Sequence, residues 1–375
     1  MTILTGLSGN EMFCLNLKGL RPGELVLGNS VHSLGFMGGI AASLQFVFGG
    51  EVTEITNVIS AGRHEAQQRL EAEAARHGAD GITGVTSELR HMQGFTEFLS
   101  VGSGIHRTAK SPGGKPFSSS CHGQDLYCML DAGYTPNRMV MGNVAYSVGI
   151  GGGIIGMLKS LGRGEIKEFS DIFNNTRHVA LLRIAKEAKD AGANAVVGIE
   201  TSIMPFKGVH EMLMLGTAAH HPALPARASE FPVTSDLTAE EMWNLATMGF
   251  MPLQLVLSTS VYSLGLIGGI KAMFKGLSRG EISDLTSLIY DARGHAIGML
   301  RREAESIGAD DVVGIKTHIH EMGGLIEFMA IGTAVKKIPG CKPTSDALPA
   351  QAIIRERDTW FTANNFAFAT VGASE

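Results

Sequence analysis

Four charged positions recur with the same residue at three separate places in this chain. They are Glu51, Glu165 and Glu281; Arg63, Arg177 and Arg293; Glu73, Glu187 and Glu303; and Glu97, Glu211 and Glu327. Carboxylates and guanidinium groups build ion pairs, anion sites and acid–base centres, so these positions are the first candidates for chemistry. The first glutamate of each set is expected at a helix N-terminus, where its charge suits the helix dipole. The arginine falls at the edge of an apolar helical stripe rather than opposite it. The last glutamate shares a strand face with apolar residues, in the first copy Phe95, Leu99 and Val101. A carboxylate on an apolar face needs a cation or hydrogen bonds. The arginine is the natural partner, within one module or across an interface. We therefore expect Arg63, Arg177 and Arg293 with Glu97, Glu211 and Glu327 to form buried or interfacial ion pairs, ahead of any catalytic role.

Softer ligands are scattered. His318 and His320, followed by Glu321, alternate on a strand so that both imidazoles face one way. Cys121, His122 and Cys128 cluster near a helix start. These are the candidate ligands for a divalent transition metal. A zinc-type site needs three or four nitrogen or sulfur ligands, and no histidine recurs in all three copies. His64 and His178 match each other but Gly294 stands third; His106 and His220 are followed by Lys336; Cys14 and Cys128 are followed by Asn244. A metal site shared by the copies is therefore not expected. There is no Gly-x-Ser-x-Gly elbow and no cysteine matched to a repeated histidine, so no enzyme is called for.

The elements that must position these residues repeat as well. GADGITGV at Gly78–Val85 returns as GANAVVGI at Gly192–Ile199 and as GADDVVGI at Gly308–Ile315. So long a period means a tandem array of whole small domains. Each copy opens with a short helix: Ser8 with Glu11 and Thr238 with Glu241 are capping boxes, and His122 with Asp125 is a weaker version. Glycine then proline ends that helix, and a strand begins near Leu25, Met139 and Leu255. A glycine-rich segment follows, with Gly38, Gly152 and Gly268 in register. It lacks the Gly-Lys-Ser/Thr of a phosphate loop and reads as close packing or a bend. A long amphipathic helix is expected from Glu51, Glu165 and Glu281, then a hairpin of two strands. Each module is thus α–β–α–β–β, a two-layer α+β unit with one long helix on a small sheet. The modules span 8–107, 122–221 and 238–337. The third strand is apolar on both faces in the second and third copies, so its second face is expected to meet another module. Thr108–Cys121 and Pro222–Leu237 read as exposed linkers. The tail, 338–375, reads as a docking segment through Trp360, Phe361, Phe366 and Phe368.

Composition bounds the rest. The net charge of −5 and the lack of a basic block argue against a nucleic-acid partner. The apolar run at Val148–Leu158 is too short to span a bilayer, which needs about 20 residues. No basic then apolar leader opens the chain, and 4 cysteines in 375 residues make no disulfide scaffold, so a reducing cytoplasm is expected.

The stretch Arg293–Ile315, RGHAIGMLRREAESIGADDVVGI, with IGTAV at Ile331–Val335, resembles the YbjQ family. VGSGI at Val101–Ile105 and LGTAA at Leu215–Ala219 repeat the pattern. The resemblance covers most of each module and neither the linkers nor the tail. It implies a YbjQ- or dodecin-like fold, subunits that assemble into pentameric rings through their strands, and a heavy-metal-binding label. Three fused copies depart from the family's usual single module. The expected function is a self-assembling, non-enzymatic homo-oligomer, as a ring, stacked rings or a shell. The alternative is a heavy-metal or small-ligand binder with sites at module interfaces.

Overall fold

The computed structural model describes residues 2–33, 50–92, 94–108, 115–147, 164–206, 209–263, 283–322 and 325–350. The glycine-rich segments at Gly38, Gly152 and Gly268, residue Glu281 and the aromatic residues of the tail lie outside these.

Each module follows the expected α+β order. In the first, α1 (Gly9–Leu17) leads into β1 (Leu20–Ser33), then β2 (Gly50–Glu51), α2 (Thr53–Arg76), β3 (Gly81–Met92) and β4 (Phe95–Arg107). After β5 (Phe117–Ser118), the second module has α3 (Gly123–Asp131), β6 (Thr135–Ser147), β7 (Gly164–Glu165), α4 (Lys167–Asp190), β8 (Ala195–Phe206) and β9 (Val209–His220). After β10 (Val233–Thr234), the third has α5 (Ala239–Thr247), β11 (Phe250–Ser263), α6 (Ser283–Ser306), β12 (Asp311–Met322) and β13 (Leu325–Lys337).

Local chemistry explains most of this. Both reciprocal capping-box bonds form at Ser8–Glu11 and at Thr238–Glu241. At α3 the His122 side chain caps nothing; Glu11 of the first module instead accepts from Gly123 N at 3.0 Å. The repeated Gly-Ala motif needs glycine twice. Gly78, Gly192 and Gly308 end the long helices at φ 67°, 74° and 72°, and Gly84, Gly198 and Gly314 sit at φ 64°, 63° and 64°. The second set lies where the hairpin register shifts, between Thr83 and Thr86, Val197 and Glu200, and Val313 and Lys316. That is a bulge that an L side chain resists.

The strands do not stay within their modules. The sheets run β1-β4-β3-β5, β10-β8-β9-β6-β2 and β12-β13-β11-β7. Thus β2 of the first module pairs with β6 of the second, and β7 of the second with β11 of the third. The linker strands β5 and β10 add in parallel to β3 and β8. Two expectations change here. The long helices begin at Thr53 and Lys167, and Glu51 and Glu165 lie in the short exchanged strands before them. Their carboxylates reach basic side chains on other modules: Glu51 lies 2.8 Å from Arg183 and Glu165 3.0 Å from His295. The linkers are not exposed throughout, since Ser118, Ser119, Cys121, Val233, Thr234 and Ser235 are buried. An exposed linker would leave the backbone of β3 and β8 unpaired, and the short strands satisfy it.

The long helices α2 and α4 are each packed on two sheets. Phe173, Leu181 and Ile184 of α4 share a core with Val140, Val144 and Met214 of their own sheet, and with Leu255, Leu257 and Val261 of the next. Each such side chain contributes roughly 1.5–3 kcal/mol on burial. On its own side the approach is close: a Cβ on Gly142 would lie 2.1 Å from the Ala180 carbonyl. The two-faced apolar strand is therefore explained, its second face being covered by the preceding module's helix. The short helices α1, α3 and α5 meet in a separate core with Leu15, Leu126, Met129, Trp243 and Leu245.

Candidate functional site: the joins between modules

Helix α2 carries Arg63 on the face turned toward the second sheet, and the guanidinium is fully buried. On β9, alternation turns Val209, Glu211, Leu213 and Leu215 to that same side. The two meet as a bidentate pair. Arg63 Nε donates to Glu211 Oε1 at 3.0 Å and Nη2 to Oε2 at 2.8 Å. The remaining Nη1 donates to the Ser87 carbonyl at 3.1 Å and to its hydroxyl oxygen at 3.0 Å. Asn143 also approaches Glu211, at 3.4 Å.

The same pair recurs one module later. Arg177 Nη2 lies 2.7 Å from Glu327 Oε2, and both side chains are fully buried. Arg177 Nε donates to Glu327 Oε1 at 3.2 Å, and Thr259 Oγ1 donates to that oxygen at 2.7 Å. Nη2 also donates to the Tyr146 hydroxyl at 2.7 Å, and the guanidinium lies 4.2 Å from the Tyr146 ring centre. Burial opposes the charge on Arg177, but the adjoining Glu327 outweighs it and raises the guanidinium's pKa. Burial likewise opposes ionisation of Glu327, and Arg177 reverses the effect, holding the carboxyl below its usual range. Burial pushes the Tyr146 phenol up to about 12, so it stays neutral.

The third arginine and the first glutamate do not meet. Arg293 is exposed on α6 and pairs with no carboxylate among the described residues. Glu97 receives a 3.1 Å bond from Asn29 Nδ2 and no arginine.

The soft ligands are placed less coherently. His318 and His320 do face one way on β12, with rings stacked 6.3 Å apart at 7°. Stacked rings do not aim their nitrogens at a common point. Burial lowers both imidazoles' pKa values, and His320 Nε2 has no hydrogen-bond partner among the described residues. Cys121 is buried against Thr217, and burial pushes its thiol up to about 12. Cys128 is buried among the short helices, with its thiol also pushed up by burial. His122 Nδ1 lies 3.9 Å from Glu11. Among the described residues no three His, Cys, Asp or Glu side chains gather as a metal centre requires. The described residues therefore bring no heavy-metal ligand set together. A groove of about 1150 Å³ opens between the first two modules, lined by Glu71, Asp80, Arg107, Lys115, Arg138 and Glu187. Its charges are of both signs, and Arg138 is spent on Glu71 at 3.0 Å.

Two further contacts at the joins were not read from the sequence. His64 pairs with Glu187, and His178 with Glu303 at 3.3 Å. Each glutamate also accepts a strand N–H, from Met141 at 2.8 Å and from Leu257 at 3.3 Å. The signal was present, since the histidine matches in two copies and the glutamate in three. Asp131 carried no such signal. It is buried and bonded to Lys18 of the first module, to Trp243 Nε1 of the third at 2.8 Å, and to Ser345 Oγ after the third at 2.8 Å.

Comparison with known proteins agrees with this architecture. A family model described as "Putative heavy-metal-binding" (YbjQ) matches residues 20–106, 135–221 and 251–337. The chain is 35% identical over 224 residues to an encapsulin nanocompartment protein of Mycobacterium tuberculosis, covering 56% of this chain and 83% of that one. It is 45% identical over 85 residues to a UPF0145 protein of Pseudothermotoga lettingae, covering 22% of this chain and 80% of the relative. A UPF0145 protein of Methanocella arvoryzae is 38% identical over 94 residues, 24% of this chain and 76% of the relative. No solved structure matches the chain. No helix among the described residues is long and apolar enough to cross a membrane. With three matches spread over most of its length, the chain belongs to the YbjQ family, as three tandem modules joined through buried arginine–glutamate pairs.

Proposed function

We propose that this protein is a self-assembling, non-enzymatic oligomer of YbjQ modules that forms a ring, stacked rings or a shell in the cytoplasm. One observation carries the reading: each inner join buries a helix and an ion pair against the next sheet, and the chain presents the same surfaces at its two ends. Module-on-module packing is thus what these repeated charges and apolar faces do within one chain, and tethering raises the local concentration for more of it. The likeness to an encapsulin nanocompartment protein supports a shell-like form. A ring of five chains is the specific form that the family resemblance brings. The arginine and glutamate act as join-setting residues, and no metal step is assigned.

The test is native mass with elemental analysis and negative-stain imaging of one untagged sample. We expect particles at a multiple of the 39.7 kDa chain, five-fold for the ring, without stoichiometric metal. A single chain carrying about one metal ion would overturn the proposal and favour the metal-binding alternative.

A further inference from the structure

The first and third modules carry exposed surfaces that correspond to the two sides of an inner join. On the first module, Leu25, Leu27, Val31, Met92 and Phe95 form an apolar face, each between 44% and 52% exposed. Their counterparts on the second module, Met139, Met141, Ala145, Phe206 and Val209, are all 3% exposed or less, because α2 covers them. Glu97 stands in the middle of that open face, where Glu211 and Glu327 receive an arginine. A contiguous apolar face of this kind on a folded protein marks an interaction surface. On the third module α6 turns Arg293 and Tyr290 outward, where Arg63 and Arg177 are fully buried. The charges are complementary and their places in the two modules correspond.

A second correspondence lies in the backbone. β12 is an edge strand among the described residues, whereas its counterparts β3 and β8 are covered by linker strands. There Gly81 pairs with Phe117 and Ile82 with Ser118; Ala195 pairs with Val233 and Val196 with Thr234. Each linker strand runs into the first helix of the next module. The segment running into α1 is Ile3–Leu7, and it makes the linker's bond to the last strand of its own module. Gly6 N donates to Ser103 Oγ at 3.1 Å, as Ser120 N does to Thr217 Oγ1 at 3.1 Å and Asp236 N to Thr333 Oγ1 at 3.2 Å. Ile3 and Leu4, which correspond in position to Phe117 and Ser118, are 46% and 73% exposed.

We infer that chains join head to tail: α6 of one copy covers the open face of the first module of a second copy. Arg293 pairs with Glu97 across the contact, and Ile3–Leu4 adds in parallel to β12 at Asp311–Val312. The occupant is a second copy of this chain, because the contact repeats the two inner joins in charge, apolar face and strand addition. It is a heterologous contact, which propagates until it closes. Gly294 replaces the histidine of the inner joins, so the join between chains lacks their histidine–glutamate contact. The inference rests on the self-assembly reading and names its interface.

Charge reversal tests it. Glu97→Arg, at a half-buried position, and Arg293→Glu, at an exposed one, each made alone, are expected to reduce the assembly to single chains of 39.7 kDa with unchanged thermal unfolding of the chain. Carrying both substitutions in one chain is expected to restore the assembled mass. Independently, a chain with Ile3→Cys and Asp311→Cys is expected to oxidise to a ladder of covalently joined chains, since neighbouring strand positions suit a disulfide. An assembled wild type that keeps its size in both single variants and gives no ladder would overturn this join while leaving self-assembly standing. A wild type that is a single chain would overturn both.

Discussion

The two inner joins use the same ion pair with different surroundings. Around Arg63 and Glu211 the support is polar, from Ser87 and Asn143. Around Arg177 and Glu327 it is aromatic and hydroxylic, from Tyr146, Phe173 and Thr259. At the second join Arg177 Nη1 has no partner among the described residues, while at the first every arm of the guanidinium donates. The pair is therefore what the geometry demands, a cation on the helix over an anion on the next strand, and the remaining hydrogen-bond capacity is met by whatever is near. A buried ion pair recovers its desolvation cost only when such neighbours share it, and these two joins share it in two ways.

The largest effect should come from breaking one pair. Arg177→Ala leaves Glu327 buried without its cation and is expected to cost about 3–5 kcal/mol, read as a fall in unfolding midpoint with denaturant. Arg63→Ala should cost less, because no ring contact like that of Arg177 with Tyr146 is lost; equal losses would show that the surroundings do not matter. Replacing both partners, Arg177→Met with Glu327→Leu, should cost less than either single change, since no charge is left stranded. A double variant as unstable as Arg177→Ala would mean that the pair itself supplies net stability.

A smaller effect is pH-dependent. Glu187 raises the pKa of His64, and Glu303 that of His178, each through a direct bond. A raised folded-state pKa gives stability that is fully present below the ordinary histidine value of 6.5 and is lost as pH rises through the folded value. Unfolding midpoints should therefore decline across that window, and His64→Ala with His178→Ala should flatten the decline. An unchanged slope in that double variant would place the pH dependence elsewhere. The smallest effect expected is from Tyr146→Phe, about 1 kcal/mol for the hydroxyl that accepts from Arg177; it should spare the first join, and a loss there on limited proteolysis would couple the two.

Much of this organisation is local and so is legible in the residues alone. The three modules follow from a repeated motif whose glycines have a backbone reason at each place, a left-handed helix end and a strand bulge. The capping boxes at Ser8 and Thr238 mark their helices because a cap is satisfied within one turn. The repeated arginine and glutamate stand out because they are ionic residues on apolar faces. Reading stopped where partners lie far apart along the chain. Glu51 and Glu165 looked like helix-start residues, and only the folded chain turns them onto neighbouring modules. Phe117–Ser118 and Val233–Thr234 looked like linker, since a two-residue strand has no periodicity to detect. Asp131 binds groups from the first module, the third module and the tail through contacts with no sequence signature. Periodicity and caps record interactions within a few residues, so the sequence determined the modules and which side chains needed partners. Which module supplies the partner is a long-range packing choice, and only the tertiary structure decided that each arginine looks forward to the next glutamate and leaves one of each at the ends.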